Sequence, residues 1–233
     1  MNLRLKQSSG MAESMSAALK LMENRRIFTG SLCRNSHIGT ADTAELQAAW
    51  GEGKRMIGLK RGSVELSSHQ EEWDKNAENV IWELKQLFGN AAVDIQHVGS
   101  TAIHSIYAKP IIDIVIGLRD LNDISPYMKV LEEHGFVCRG EDIAGQILFV
   151  MGDFEKDTRT HHIHVVKWNG TEWNNYINFR DYLNCHPDKA ALYDACKKKL
   201  ALQFSGDRRS YTEGKQECIE CLLKEAYVWR HRQ

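Results

Sequence analysis

The chain has no excess of either charge: 30 lysines and arginines meet 31 aspartates and glutamates, giving a formal net charge of -1. A global positive field that would draw nucleic acid or an anionic membrane surface is therefore excluded, and either partner would need a local patch. The densest basic run, Lys197-Lys198-Lys199, falls in a helical stretch and reads as a solvated face, so nucleic acid is not an expected partner. Nor does any apolar run approach the roughly 20 residues that a membrane span needs, so no membrane partner is expected. No secretory core precedes the cysteines, because Lys20 interrupts the early apolar patch. The six cysteines (33, 138, 185, 196, 218 and 221) are scattered, which fits reduced thiols in a cytoplasm. Cys218 and Cys221 form a CxxC, but in an amphipathic helical segment without zinc partners, so packing is the better reading. No internal repeat is present.

What is present is ordinary globular material: 233 residues, 42% hydrophobic and 26% charged, enough for a sizeable core. Residues 1–55 are serine-rich and read as a partly helical, linker-like N-terminal extension, with helices expected over 13–26 and 43–50. Glycines 51 and 53 supply a joint, and an orderly α/β alternation follows over 56–233. Trp73, Ala77, Val80, Ile81, Leu84 and Leu87 recur at helical steps and predict a helix over 70–88, stopped by Gly89-Asn90. Strands are expected at 93–97, 111–118, 136–139, 146–151 and 161–168, mostly antiparallel, with helical segments at 101–106 and 123–135. Residues 173–230 read as helical, with breaks at 186–188 and 205–207. The expected fold class is thus a mixed α/β (α+β) sheet flanked by helices, with a helical C-terminal third.

The chemistry concentrates at His97-Val98-Gly99-Ser100-Thr101 and, thirteen residues after Ser100, Asp113 in the apolar run 111–116. A carboxylate inside a buried strand is costly unless it faces a metal or a charged ligand. Gly99 allows close backbone approach, Ser100 and Thr101 offer hydroxyls, and amides at a helix start point at an anion. Alternation puts Asp113 on one face with Val115, opposite Ile112, Ile114 and Ile116. Lys109 lies close enough in sequence to neutralise phosphate oxygens.

This spacing resembles the DNA polymerase beta-like nucleotidyltransferase superfamily. The blocks 97–102, 108–114, 160–166 and 178–183 resemble its GrpB family more closely, over about residues 56–230. The resemblance implies a nucleotidyltransferase-like fold and a transferase acting on a nucleoside triphosphate with a divalent metal, Mg²⁺ or Mn²⁺. It assigns Gly99 and Ser100 to the triphosphate, beside the Thr101 hydroxyl, and Asp113 to the metal, and it brings in Lys215, near Tyr211, as a residue reaching the ligand. Where an active member of the superfamily carries its second carboxylate, this chain has Val115.

A replacement is available on another strand. His162 and His164 share a face, and with Asp113 they would form a catalytic and metal-holding two-histidine, one-carboxylate set, better suited to Zn²⁺, Mn²⁺ or Fe²⁺ than to Mg²⁺. The other reading makes them half-exposed histidines bonded to neighbouring carbonyls. Arg180 either forks onto a phosphate or pairs with Asp181 or Glu133, and Tyr193 with Cys196 and Leu200 reads as packing. Three functions stay open: nucleotidyl transfer to a small-molecule acceptor, a degenerate nucleotide- or phosphate-binding module, and an Asp/His metal-dependent hydrolase or lyase.

Overall fold

A computed structural model of the chain describes residues 57–232. The expected extension over 1–55, its helices and its glycine joint lie outside the described residues, as do Cys33 and Met56. The two-residue strand β1 (Leu59–Lys60) comes first, followed by helix α1 (Glu71–Phe88). Trp73, Ala77, Val80, Leu84 and Phe88 recur every three or four residues on the buried stripe of α1, and Gly89 ends it with a positive φ of 51°.

Strands β2 (Ala92–Val98) and β3 (Ile112–Leu118) pair antiparallel. Between them the helix expected over 101–106 shrinks to one 3-10 turn, Ser100–Ala102. Ile103 and Ile106 are drawn instead beneath the C-terminal helices, packing with Tyr182, Leu183 and Tyr193. Likewise the helix expected over 123–135 splits into a 3-10 segment, Leu121–Tyr127, and a short helix α2 (Met128–Glu133). Pro126 accounts for the break, since it cannot supply an amide proton.

Strands β4 (Val137–Ile143), β5 (Gln146–Met151), β6 (Thr158–Arg159) and β7 (His161–Lys167) follow. The five-stranded sheet runs β2-β3-β7-β5-β4, and β1 pairs separately with β6. All neighbours in the large sheet are antiparallel except β3 and β7, which run parallel and set Asp113 against His162 and Val115 against His164. Four helices complete the fold: α3 (Thr171–Cys185), α4 (Pro187–Gln203), α5 (Arg208–Gly214) and α6 (Gln216–Arg230), interrupted at the two places the sequence predicts and once more at Lys215. Mixed α/β architecture with a helical C-terminal third is therefore what forms.

The two sheet faces have different fates. Ile112, Ile114, Ile116, Ile163 and Val165 pack against α1 in the main core. On the opposite face Val98, Val115 and Val166 pack against Trp173 of α3. The lysine run departs from the solvated face expected of it: Lys197 is buried, its Nζ donating to the Tyr107 carbonyl oxygen, and Lys198 pairs with Asp194 at 2.8 Å over the Tyr107 ring. Only Lys199 of the three is exposed, because α4 is sandwiched on the side that carries 193, 194 and 197. No helix among the described residues is long and apolar enough to cross a membrane.

Candidate functional site

Asp113 and Val115 share a strand face, but only Val115 is closed over by hydrophobic neighbours. The Asp113 carboxylate opens beside the Gly99-Ser100 turn, and β7 brings His162 and His164 against it. His162 Nδ1 lies 3.1 Å, and His164 Nε2 3.5 Å, from the same oxygen, Asp113 Oδ1. The side chain of Asp113 is about a quarter exposed at 26%, while both histidines are largely enclosed. Burial by itself would raise the Asp113 carboxyl, yet hydrogen bonds from the two imidazoles, and their charge, outweigh it and hold the carboxyl well below the usual range.

The turn and the carboxylate are in direct contact. Gly99 has φ 71° and ψ -168°, a conformation side chains resist, and a Cβ placed there would lie 2.8 Å from Asp113 Cβ and on top of its carboxylate. Thr101 is buried with its hydroxyl 2.9 Å from His97 Nε2, and Ser100 hydrogen-bonds the buried Tyr193 hydroxyl from α4. Burial pushes His97 down to about 4, against the opposing pull of Asp74 and Asp113.

Behind His164 stands a network that orients it. Tyr176 on α3 donates its hydroxyl proton to Gln146 Oε1 at 2.7 Å, and its oxygen lies 3.1 Å from His164 Nδ1. Tyr176 thereby holds the His164 imidazole by Nδ1 and leaves Nε2 facing Asp113 Oδ1. The donor set is one carboxylate and two imidazoles whose ligand atoms lie within 4.8 Å of one another. Such nitrogen-rich donors fit Mn²⁺, Zn²⁺ or Fe²⁺; they do not form the all-oxygen, octahedral surround that Mg²⁺ demands.

Two further cations face this region. Lys109 Nζ sits 5.4 Å and Lys215 Nζ 4.7 Å from the centroid of the buried Tyr211 ring. Burial, with Lys215 and Arg208 nearby, pushes Lys109 down to about 7, and burial also lowers Lys215. Both lysines feel the charge of Asp113. An anion between them would relieve a repulsion the fold leaves standing.

Arg180 is placed differently. It lies in the second half of α3, and of the two expectations pairing with Asp181 is the one realised: its guanidinium binds Asp181 at 2.8 Å, Gln96 Oε1 at 2.7 Å and the His97 carbonyl at 2.9 Å. Those bonds brace the strand that leads into the turn. His161, adjacent to the site in sequence, points into the protein and bonds Asn76 and Thr160. Tyr176 and Gln146 are not anticipated from the sequence, and Tyr193, expected only to pack, meets Ser100. Only Gln146 carries a linear signal, as an uncharged polar residue fully buried at the head of an apolar strand.

Comparison with known proteins agrees with this architecture. The family described as GrpB protein matches residues 63–225. The "Glutamate-rich protein GrpB" of Alkalihalophilus pseudofirmus is 37% identical over 173 residues, covering 73% of this chain and 99% of that protein. The crystal structure of conserved protein GrpB from Enterococcus faecalis superposes with a TM-score of 0.66 at 27% identity, over 72% of this chain and 99% of that one. A structure of Cid1 in complex with its short product ApU gives a TM-score of 0.38 at 12% identity, over 59% of this chain and 41% of that one, too distant to bear on function. By the extent of the family match and the identity of its relatives, this chain belongs to the GrpB family.

Proposed function

We propose that the chain binds a nucleoside triphosphate with one divalent ion and transfers a nucleotidyl group to a small-molecule acceptor. The observation that carries this reading is the contact of Gly99 with Asp113, which brings the glycine-serine turn directly against the carboxylate. In this scheme Gly99, Ser100 and Thr101 receive the phosphates. Lys109 and Lys215, held over Tyr211, offset the charge of the departing pyrophosphate. Asp113, His162 and His164 hold the ion, Mn²⁺ more readily than Mg²⁺. The ion would supply Lewis-acid stabilisation of charge on phosphate oxygens. In the transfer itself an acceptor hydroxyl oxygen bonds to the α-phosphorus, the bond to the β-phosphate oxygen breaks, and pyrophosphate leaves as the hydroxyl proton passes to solvent or to an imidazole of the site.

The test incubates the purified protein with each nucleoside triphosphate, Mn²⁺ or Mg²⁺ and a metabolite extract, and follows pyrophosphate. Release with Mn²⁺, abolished by Asp113→Asn, is the expected result. Thermal stabilisation by nucleotide without any product would replace transfer by binding alone.

One feature favours a second reading, a metal-dependent hydrolase or lyase. Val115 is fully buried where a second carboxylate would bridge two ions, and two histidines complete the set instead. Stoichiometric zinc, manganese or iron in the protein, with phosphate-ester cleavage and no pyrophosphate, would establish it.

A further inference from the structure

A second carboxylate, Asp74 in the first turn of α1, is ringed by imidazoles. His69 Nε2 lies 2.9 Å and His104 Nε2 3.7 Å from Asp74 Oδ2, and His97 Nδ1 lies 3.6 Å from Asp74 Oδ1. We propose that His69, Asp74 and His104 form a binding site for a divalent transition ion of the zinc class, separate from the Asp113 group, with His97 against the other carboxylate oxygen and positioning it.

The distances favour a shared ion over simple pairing. Separations of 3.6 and 3.7 Å are too long for hydrogen bonds. Donors around a tetrahedral ion with bonds of about 2.0–2.1 Å stand about 3.3 Å apart, and the separations about Asp74 bracket that value. The ligand atoms of His69, Asp74 and His104 all lie within 4.8 Å of one another. Two imidazoles and one carboxylate, with a position left open to solvent, are a donor set for zinc and its neighbours, not for Mg²⁺ or Ca²⁺. His97 helps to position the carboxylate: its Nε2 meets the Thr101 hydroxyl at 2.9 Å, leaving Nδ1 toward Asp74 Oδ1. His104 is exposed, its side chain 67% accessible, so the ion has a way in from solvent.

The donors come from three places in the chain: the segment before α1, α1 itself, and the segment that follows the Gly99-Ser100 turn. An ion here would staple the Gly99-Ser100 turn to α1. It would hold the turn's shape without touching a ligand in the neighbouring pocket, and so it does not depend on the reaction assigned there.

The experiment uses the full chain carrying Asp113→Asn, which disables the other donor group, stripped with chelator and titrated with Co²⁺. One equivalent bound with visible ligand-field bands is expected, and Zn²⁺ should displace it. Adding His104→Ala, an exposed position whose loss leaves the fold intact, should weaken Co²⁺ at least about tenfold. His104→Cys should restore binding and add a sulfur-to-cobalt charge-transfer band. Zn²⁺ should raise the melting temperature of the Asp113→Asn chain and not of the double variant. No uptake by the Asp113→Asn chain, or unchanged affinity in His104→Ala, would overturn the proposal.

Discussion

Asp113 Oδ1 receives two imidazole nitrogens, and the other side of that carboxylate leans on a glycine. Each contact makes an outcome measurable. Gly99→Ala must force a methyl group into Asp113 and a positive φ onto a residue that resists it, costing about 1–3 kcal/mol. Denaturant titration should register that loss, and nucleotide stabilisation should disappear with it. Tyr176→Phe keeps the ring against His164, 4.9 Å between centroids, and removes only the hydroxyl between His164 and Gln146. With His164 Nδ1 no longer anchored, affinity for Mn²⁺ or Zn²⁺ at the Asp113 group should fall about 10- to 100-fold, read by metal titration, with little change in the apo protein's melting. The sequence makes Gly99, Ser100 and Asp113 legible, because a glycine-serine turn and an acid inside an isoleucine run are each locally anomalous. Nothing local distinguishes Tyr176 or Tyr193 from residues that merely pack.

At the scale of elements, α4 shows how a linear charge run misleads. Three consecutive lysines spread over about 200° of a helix's circumference, so one of them must face inward when the helix is covered on both flanks. Lys197 is that residue, beside Tyr193 and under the Tyr107 carbonyl. Burial, against the pull of Asp194, pushes it down from 10.5 to about 7. Between those two values the unfolded chain binds the proton more readily than the folded one, so this residue makes stability rise with pH from about 7 upward. Lys197→Met should flatten the rise, most clearly when chemical denaturation of the two proteins is compared at pH 7 and pH 9. The periodicity of α1 and the breaks at Pro187 and around 205–207 were readable, since spacing and helix-stopping residues act locally. The length of the segment after Ser100 was not, because Ile103 and Ile106 answer to helical residues more than seventy positions further along.

For the molecule as a whole, one sheet face is a core and the other is divided. Its Val98, Val115 and Val166 patch anchors α3, while the end with Asp113, His162 and His164 opens toward Lys109, Lys215 and the glycine-serine turn. The mixed sheet, its flanking helices and the helical final third follow from the period of apolar residues and from turn chemistry, which any short window contains. So does the candidacy of Asp113, since a buried carboxylate is anomalous wherever it stands. What the sequence could not decide is which strand lies beside which. The parallel pairing of β3 with β7 joins residues forty-nine and fifty-one positions apart, setting both histidines on one carboxylate oxygen. Only the tertiary structure settles that, and it alone turns Tyr176 onto His164 and gathers three histidines around Asp74, because each of these contacts depends on elements that no local propensity brings together.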